Sequence, residues 1–242
     1  MSVKITVLGS GSSGNSYLIE LQESAFLIET GISFQNIKVA LNFNINKLKF
    51  VISLHEHFDH SKYIKEYLKV GIPVFMNKET AKVHLVENNP FCKIFEILKP
   101  FNIGDFKLHL FPLQHDDVTC SGLYISHKEL GNLVYISDSF YCKYIFPNIN
   151  YFLIEANYSN EILEKNIAIG LNSRHARRVL QSHFEINQTI ATLKANDLTQ
   201  VKVIILLHLS DGNSNANQFK TMVQEQTGKI CYIAEKNLII EI

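Results

Sequence analysis

Short apolar runs alternate with polar breaks along the chain, and their spacing changes character half-way. Lys4–Leu8, Tyr17–Leu21 and Ala25–Glu29 read as strands around a loop of small residues, Gly9–Asn15. Phe50–Leu54 is a short apolar run of buried-strand type, followed by polar residues. Ser61–Val70 then shows helical spacing, with Tyr63, Ile64, Tyr67 and Leu68 on one side, and Gly71-Ile-Pro closes it and opens the next strand. Further strands are predicted at Lys107–Phe111, Gly122–Ile125, Leu133–Ser137 and Tyr151–Glu155. The second half is more helical. Ser173–Gln181 and Asn187–Ala195 read as helices, Val201–Leu207 as a buried strand, and Asn215–Gln226 as a helix stopped by Gly228. Two closing strands, Ile230–Ala234 and Leu238–Glu241, meet at a Lys-Asn turn. Groups of strands followed by helices predict an α/β (α+β) chain with sheets inside and helices outside. No repeat, low-complexity tract or Pro/Gly-rich linker interrupts it, which predicts a single domain over residues 1–242.

Composition narrows the class. The 242 residues carry 23 basic and 23 acidic side chains, which excludes a strongly basic nucleic-acid coat and leaves room for a local basic patch. No apolar run approaches the roughly 20 residues of a membrane span, so no membrane partner is expected. The opening Met-Ser-Val-Lys-Ile-Thr-Val-Leu-Gly runs straight into a strand pattern without signal-peptide architecture. Cys92, Cys120, Cys142 and Cys231 are scattered and form no CxxC pair, so reduced thiols and a cytoplasmic address are expected.

The ten histidines say more. Leu54-His55-Glu56-His57-Phe58-Asp59-His60-Ser61 follows a buried strand and precedes a helix, at a strand's carboxyl end where α/β sites gather. In extended chain His55 and His57 point the same way, and Asp59 and His60 come from the turn. Four potential ligands in six residues, in two groups, suit two adjacent metals. Imidazole with carboxylate favours zinc, and admits iron or manganese. One stretch cannot close two coordination shells. His115, Asp138 and His208 each follow an apolar run and supply the further ligands.

The pattern His55-x-His57-x-Asp59-His60, followed by His115, Asp138 and His208, resembles the metallo-β-lactamase superfamily. That resemblance implies an αββα sandwich with a dinuclear centre. It implies one ion on His55, His57 and His115, and a second on Asp59, His60 and His208, with Asp138 bridging. His84, His109 and His127 match no position of the motif. The superfamily usually carries Asp after its early strand to orient the ligand loop; Glu29 stands there in this chain. Two divalent ions about 3.5–4 Å apart can hold a bridging hydroxide that attacks the substrate, so no Ser or Cys nucleophile is needed.

That chemistry serves lactams, thioesters and phosphodiesters alike, so the substrate has to be read elsewhere. The only arginines, Arg174, Arg177 and Arg178, fall at i, i+3 and i+4 of a predicted helix and would present three forks to phosphate. His183, just after that helix, is placed to protonate a leaving alkoxide; with Asp59 it is the catalytic candidate. The loops holding Ser12, Ser13 and Asn15, and Asn213, are rich in small donors suited to anions. Glu155 and Asn157, at another strand end, are expected to orient ligands. Tyr141, Tyr144 and Tyr158 are candidates for stacking bases.

The segments Gly-Ser-Ser-Gly-Asn (11–15), Glu-Ala-Asn-Tyr (155–158), Ser173-Arg-His-Ala-Arg-Arg178 and His-Leu-Ser-Asp-Gly-Asn-Ser (208–214) resemble the YycJ/WalJ-like and PhnP-like branch. That branch implies phosphodiester hydrolysis, of single-stranded DNA from an end or of small cyclic phosphodiesters. There is no long insertion of the tRNase Z type and no second large domain of the β-CASP type. The expectation is therefore a dinuclear metal-dependent phosphodiesterase or exonuclease, binding single-stranded nucleic acid or a small phosphodiester. Hydrolysis of a lactam, lactone or thioester by the same metals is the alternative. A di-iron redox protein is a further one, although that branch usually carries Glu where His57 stands. The pattern leaves the oligomeric state open.

Overall fold

The apolar runs become strands whose ends carry the polar chemistry. The computed structural model describes residues 3–115 and 118–242, with the backbone alone at 173–175. In chain order the elements begin β1 (Lys4–Gly9), β2 (Ser16–Glu20), β3 (Ala25–Ile28), α1 (Phe34–Ala40), β4 (Leu48–Ile52), α2 (Phe58–Ser61), α3 (Ile64–Lys69), β5 (Val74–Met76), α4 (Lys78–His84) and β6 (Cys92–Ile94). They continue β7 (Phe101–Ile103), β8 (Phe106–His115), β9 (Val118–His127), β10 (Gly131–Ile136), β11 (Tyr151–Glu155), α5 (Asn160–Ala168), α6 (Ser173–Ser182) and α7 (Ile186–Lys194). The chain ends β12 (Val203–Leu207), α8 (Ala216–Thr227), β13 (Cys231–Ile233) and β14 (Ile239–Glu241).

Two units divide the chain. The first runs to Lys99 and takes back Ala234–Ile242; the second is Pro100–Ile233. The first unit holds a seven-stranded sheet in the order β14-β1-β2-β3-β4-β5-β6, and the second a seven-stranded sheet in the order β13-β12-β11-β10-β9-β8-β7. Each sheet is antiparallel in one half and parallel in the other. In the first, β14 to β3 pair antiparallel and β3 to β6 parallel. In the second, β7 to β10 pair antiparallel and β10 to β13 parallel. The α/β (α+β) class expected from the sequence is borne out. Leu27, Val51 and Val74 share one core with Phe34, Ile64 and Tyr67 of the first unit's helices. Phe152, Ile154, Ile204 and Leu206 share another with Ile190 and Phe219 of the second unit's helices and with Phe184 between α6 and α7. No helix among the described residues is long and apolar enough to cross a membrane.

Tertiary hydrogen bonds redraw several expected boundaries. The helix expected over Ser61–Val70 is interrupted between α2 and α3, because the Tyr63 amide donates to the Thr30 carbonyl (3.0 Å) instead of to its own turn. Strands β8 and β9 run to ten residues each, longer than expected, since Lys107–His115 pairs with Val118–Ser126 without a break. Helices α1, α4 and α5 were not expected. Their cues are short: α1 buries only Phe34 and Ile37, and α5 only Leu163. Cap chemistry still marks two of them, since Asn77 accepts from the Thr80 amide (2.7 Å) and Ser159 from the Ile162 amide (3.4 Å). Helix α8 stops where expected, at Gly228, whose φ of 68° suits the left-handed cap.

Phe152, wholly buried on β11 between two parallel neighbours, is expected to hold the second unit together. Phe152→Ala should cost about 3–5 kcal/mol, read as a lowered urea midpoint by circular dichroism.

Candidate metal centre

Strand direction collects the chemistry at one end of each sheet. In the first unit β1, β3 and β4 run the same way, so the Gly9–Asn15 loop, Glu29 and His55 emerge together. In the second, β8, β10, β11 and β12 run the same way and deliver His115, Asp138, Glu155 and His208. Glu29, Asp138 and His208 each turn out of their strand with a left-handed backbone, φ 67°, 52° and 54°. That conformation is costly for a side-chain-bearing residue, and such strain gathers where function over-determines it.

The first unit's cluster is built on the His55–His60 turn. The rings of His55 and His60 lie 4.1 Å apart and those of His55 and His57 5.0 Å apart. Glu29 is buried beneath them. One carboxylate oxygen sits 3.3 Å from His60 Nδ1 and the other accepts the Leu54 amide (3.2 Å). A proton on Nδ1 facing Glu29 leaves the lone pair on Nε2, the ligating tautomer. Asp59 lies 3.3 Å from that Nε2. The turn is then laced to the end of β3. Thr30 donates to the His60 carbonyl through both its amide (2.7 Å) and its hydroxyl (3.1 Å), and the Asn15 amide donates to the Asp59 carbonyl (2.7 Å). A Cβ on Gly31 would collide with that same Asp59 carbonyl, so only glycine allows the approach.

Two residues of this cluster escaped the sequence reading. His84 of α4, buried, donates from Nε2 to the Ser61 hydroxyl (2.7 Å), and Ser61 caps the Glu56 (2.8 Å) and His57 (2.9 Å) carbonyls. The pair braces the turn from outside. Burial holds the His84 imidazole below its usual range, with Lys65 adding to it. Nothing local to His84 signals this role, since its partner lies more than twenty residues away in the chain.

In the second unit His115 donates from Nδ1 to the Ser182 carbonyl (3.0 Å), which again presents Nε2, 4.0 Å from Asp138. Glu155 is the centre of this cluster. It is fully buried, accepts from His183 Nδ1 (2.7 Å) and the Ser139 amide (3.1 Å), and lies 3.2 Å from His208 Nδ1. Burial pushes its carboxyl up, but the His183 charge and the bonds from His183 and His208 outweigh that and hold it below the usual carboxylate range. Burial likewise opposes charge on His183, yet Glu155 and then Asp138 prevail and raise it above the usual imidazole range. Asn157 donates to the His208 carbonyl (2.7 Å) and fixes the turn that carries that imidazole.

The donor sets fit divalent cations. Glu29, His55 and His60 offer ligand atoms within 4.8 Å of one another, and so do Asp138, Glu155, His183 and His208. Mixed imidazole and carboxylate donors are zinc, manganese or iron chemistry. Glu155 and His183, expected beside the ligands, thus stand among the potential donors themselves.

The expected substrate contacts fare differently. Ser12 and Ser13 are exposed at their loop tip, and Arg177 and Arg178 are exposed on α6. The Arg174 side chain lies outside the described residues. Asn15 is buried instead of open to a substrate: its amide reaches His60 Nε2 (2.8 Å) and Asp59 (3.2 Å), and its oxygen takes the Gly11 amide (2.8 Å). Asn213 is also buried, accepting from Asn166 (2.8 Å) and taking the Ser159 amide on its carbonyl (3.0 Å). Both are loop fasteners. Among the tyrosines Tyr158 is in the core, Tyr144 packs its ring 5.2 Å from Phe111, and Tyr141 is exposed.

The family model of the metallo-beta-lactamase superfamily matches residues 9–85, the stretch that carries the Gly-Ser loop, Glu29 and the His55–His60 turn. The exodeoxyribonuclease YycJ of Bacillus anthracis is 28% identical over 232 residues, covering 88% of this chain and 85% of that protein. These similarities support the metallo-β-lactamase superfamily for this chain. Within the superfamily, the exodeoxyribonuclease WalJ of Streptococcus pneumoniae serotype 2 (strain D39 / NCTC 7466) is 30% identical over 177 residues, 66% of this chain and 64% of that one. The crystal structure of YhfI, a metallo-β-lactamase fold protein from Bacillus subtilis, matches with a TM-score of 0.74 at 17% identity, covering 100% of both chains. The superfamily and branch expected from the motif are borne out.

Glu29→Gln removes the carboxylate that orients His60. It is expected to weaken zinc or manganese binding by about 10–100-fold, measured by competition with a chromophoric chelator, with the far-ultraviolet dichroism unchanged.

Proposed function

We propose that this metal-dependent hydrolase cleaves phosphodiester bonds in single-stranded nucleic acid, DNA foremost, using two divalent ions of which zinc is the first choice. The metal reading is carried by one observation, the convergence of buried Asp138, Glu155 and His208 with half-buried His183 within 4.8 Å. The substrate reading is supported by the exodeoxyribonuclease activity named for YycJ and WalJ and by the exposed guanidinium groups of Arg177 and Arg178. A small cyclic phosphodiester would use the same chemistry. Cysteines that are all reduced accord with a cytoplasmic address.

The ligand assignment follows the sequence signature. His55, His57 and His115 would hold one ion, and Asp59, His60 and His208 the other, with Asp138 shared. When bound, such ions supply Lewis-acid charge to phosphoryl oxygens and lower the pKa of water they hold. The chain's own residues do the remainder. Glu29 and the Ser182 carbonyl set the tautomers of His60 and His115. Glu155 fixes the His183 ring through Nδ1, which directs the Nε2 proton toward a leaving alkoxide. Arg177 and Arg178, with Arg174, would grip backbone phosphates as forks.

Two substitutions test this. Asp59→Ala should abolish hydrolysis of single-stranded DNA and of bis-p-nitrophenyl phosphate while leaving the fold intact; retained turnover overturns the metal reading. His183→Ala should lower kcat on DNA by about 10²–10⁴-fold, but much less on bis-p-nitrophenyl phosphate, whose phenolate leaves without a proton. Equal losses on the two substrates would make His183 a metal ligand instead of the acid. A panel of single-stranded and duplex DNA, RNA, a cyclic nucleotide, a lactam and a thioester, with zinc or manganese added, decides the substrate class.

A further inference from the structure

Immediately after Asp138 the chain does something its core does not call for. Ser139 is buried and ties down the residues beyond it: its hydroxyl donates to the Tyr141 carbonyl (2.9 Å) and accepts the Gln114 (3.2 Å) and Tyr141 (3.3 Å) amides, while its own amide is held by Glu155 (3.1 Å). The Phe140 amide reaches the Gln114 carbonyl (3.4 Å). Further on, Cys142 and Phe146 are buried in the second unit's core, Phe146 lies 4.8 Å from the Phe111 ring, and its amide donates to Asn196 (2.8 Å). The segment is therefore pinned at Ser139, Cys142 and Phe146. Between the pins stand Phe140, 40% exposed, Tyr141, 45% exposed, and the exposed Lys143.

Two solvent-exposed rings on an ordered segment are costly as surface, and nothing in the core needs them. Their backbone is tied through Ser139 to Glu155, the residue that also holds His183 and His208. We propose that Phe140 and Tyr141 form a base-stacking platform that seats unpaired nucleobases of the substrate, with Lys143 available to a backbone phosphate. Single strands are bound in this way because every base offers a flat π-face to an aromatic ring, and a neighbouring cation follows the backbone. A base paired in a duplex keeps that face covered, so the platform selects unpaired strands. The inference rests on the reading of the substrate as single-stranded nucleic acid, and it adds which residues do the selecting.

The test uses the full-length, manganese-loaded protein on three substrates: a single-stranded DNA oligonucleotide, the same length of strand carrying consecutive abasic sites, and bis-p-nitrophenyl phosphate. Phe140→Ala with Tyr141→Ala should raise KM for the oligonucleotide about tenfold more than for bis-p-nitrophenyl phosphate, on the usual worth of base–aromatic stacking. It should also erase the wild-type preference for the normal strand over the abasic one. Tyr141→Phe, which keeps the ring, should retain the preference. A preference that survives the double substitution, or a loss of equal size on all three substrates, overturns the platform while leaving the nuclease reading standing. A wild-type protein that hydrolyses bis-p-nitrophenyl phosphate and no DNA overturns both.

Discussion

A carboxylate buried at the end of an apolar strand costs several kcal/mol unless polar partners answer it, and in both units that cost is met by the groups the site needs. Glu155 is the clearest case. Its oxygens are answered by His183, the Ser139 amide and His208, and its own carbonyl takes the Thr189 hydroxyl of α7 (2.7 Å). The buried charge therefore orders two potential ligands and the segment after Asp138, and the same residue's carbonyl ties down α7. Glu29 does the same in the first unit with the Leu54 amide and His60. Removing either charge would leave its partners buried and mispaired, so stability and ligand geometry are two readings of the same contacts.

The same contrast between apolar burial and polar pairing decides how much the sequence reveals. Apolar runs such as Phe50–Leu54 and Val201–Leu207 announce strands by burial alone, and the polar residue after each announces a strand end; β12 lies within its run, while β4 begins earlier, at Leu48, and ends at Ile52. The histidine turn was legible because its imidazoles and carboxylate are close in sequence. Long-range polar pairing left no such trace. The break at Lys62–Tyr63 depends on a carbonyl at Thr30, and the brace on Ser61 depends on His84. Asn15 read as a substrate donor because Gly-Ser-Asn loops are good at binding anions, but its neighbours in space, Asp59 and His60, claim its amide first.

The two sheets repeat one plan, an antiparallel half passing into a parallel half, and in each the chemistry sits where parallel strands end. Parallel strands point their carboxyl ends the same way, so successive βα turns gather without any one turn having to be long. The left-handed turns at Glu29, Asp138 and His208 re-aim the chain within one residue, keeping the polar side chain at the sheet's edge while the next residues leave.

Glu29 shows how tightly such an edge is tuned. Superfamily resemblance leads one to expect Asp at this position, and the extra methylene has to go somewhere. It goes into reach. One oxygen holds His60 Nδ1 at 3.3 Å while the other holds the Leu54 amide at 3.2 Å, and the Glu29 amide itself donates to Ile52 (2.8 Å). A shorter side chain on the same backbone would fall short by about one carbon–carbon bond, roughly 1.5 Å, and would have to give up one of the two partners. The left-handed turn and the longer acid are thus matched to each other: the backbone withdraws, the side chain extends, and the imidazole that the turn must present stays where the rest of the cluster needs it.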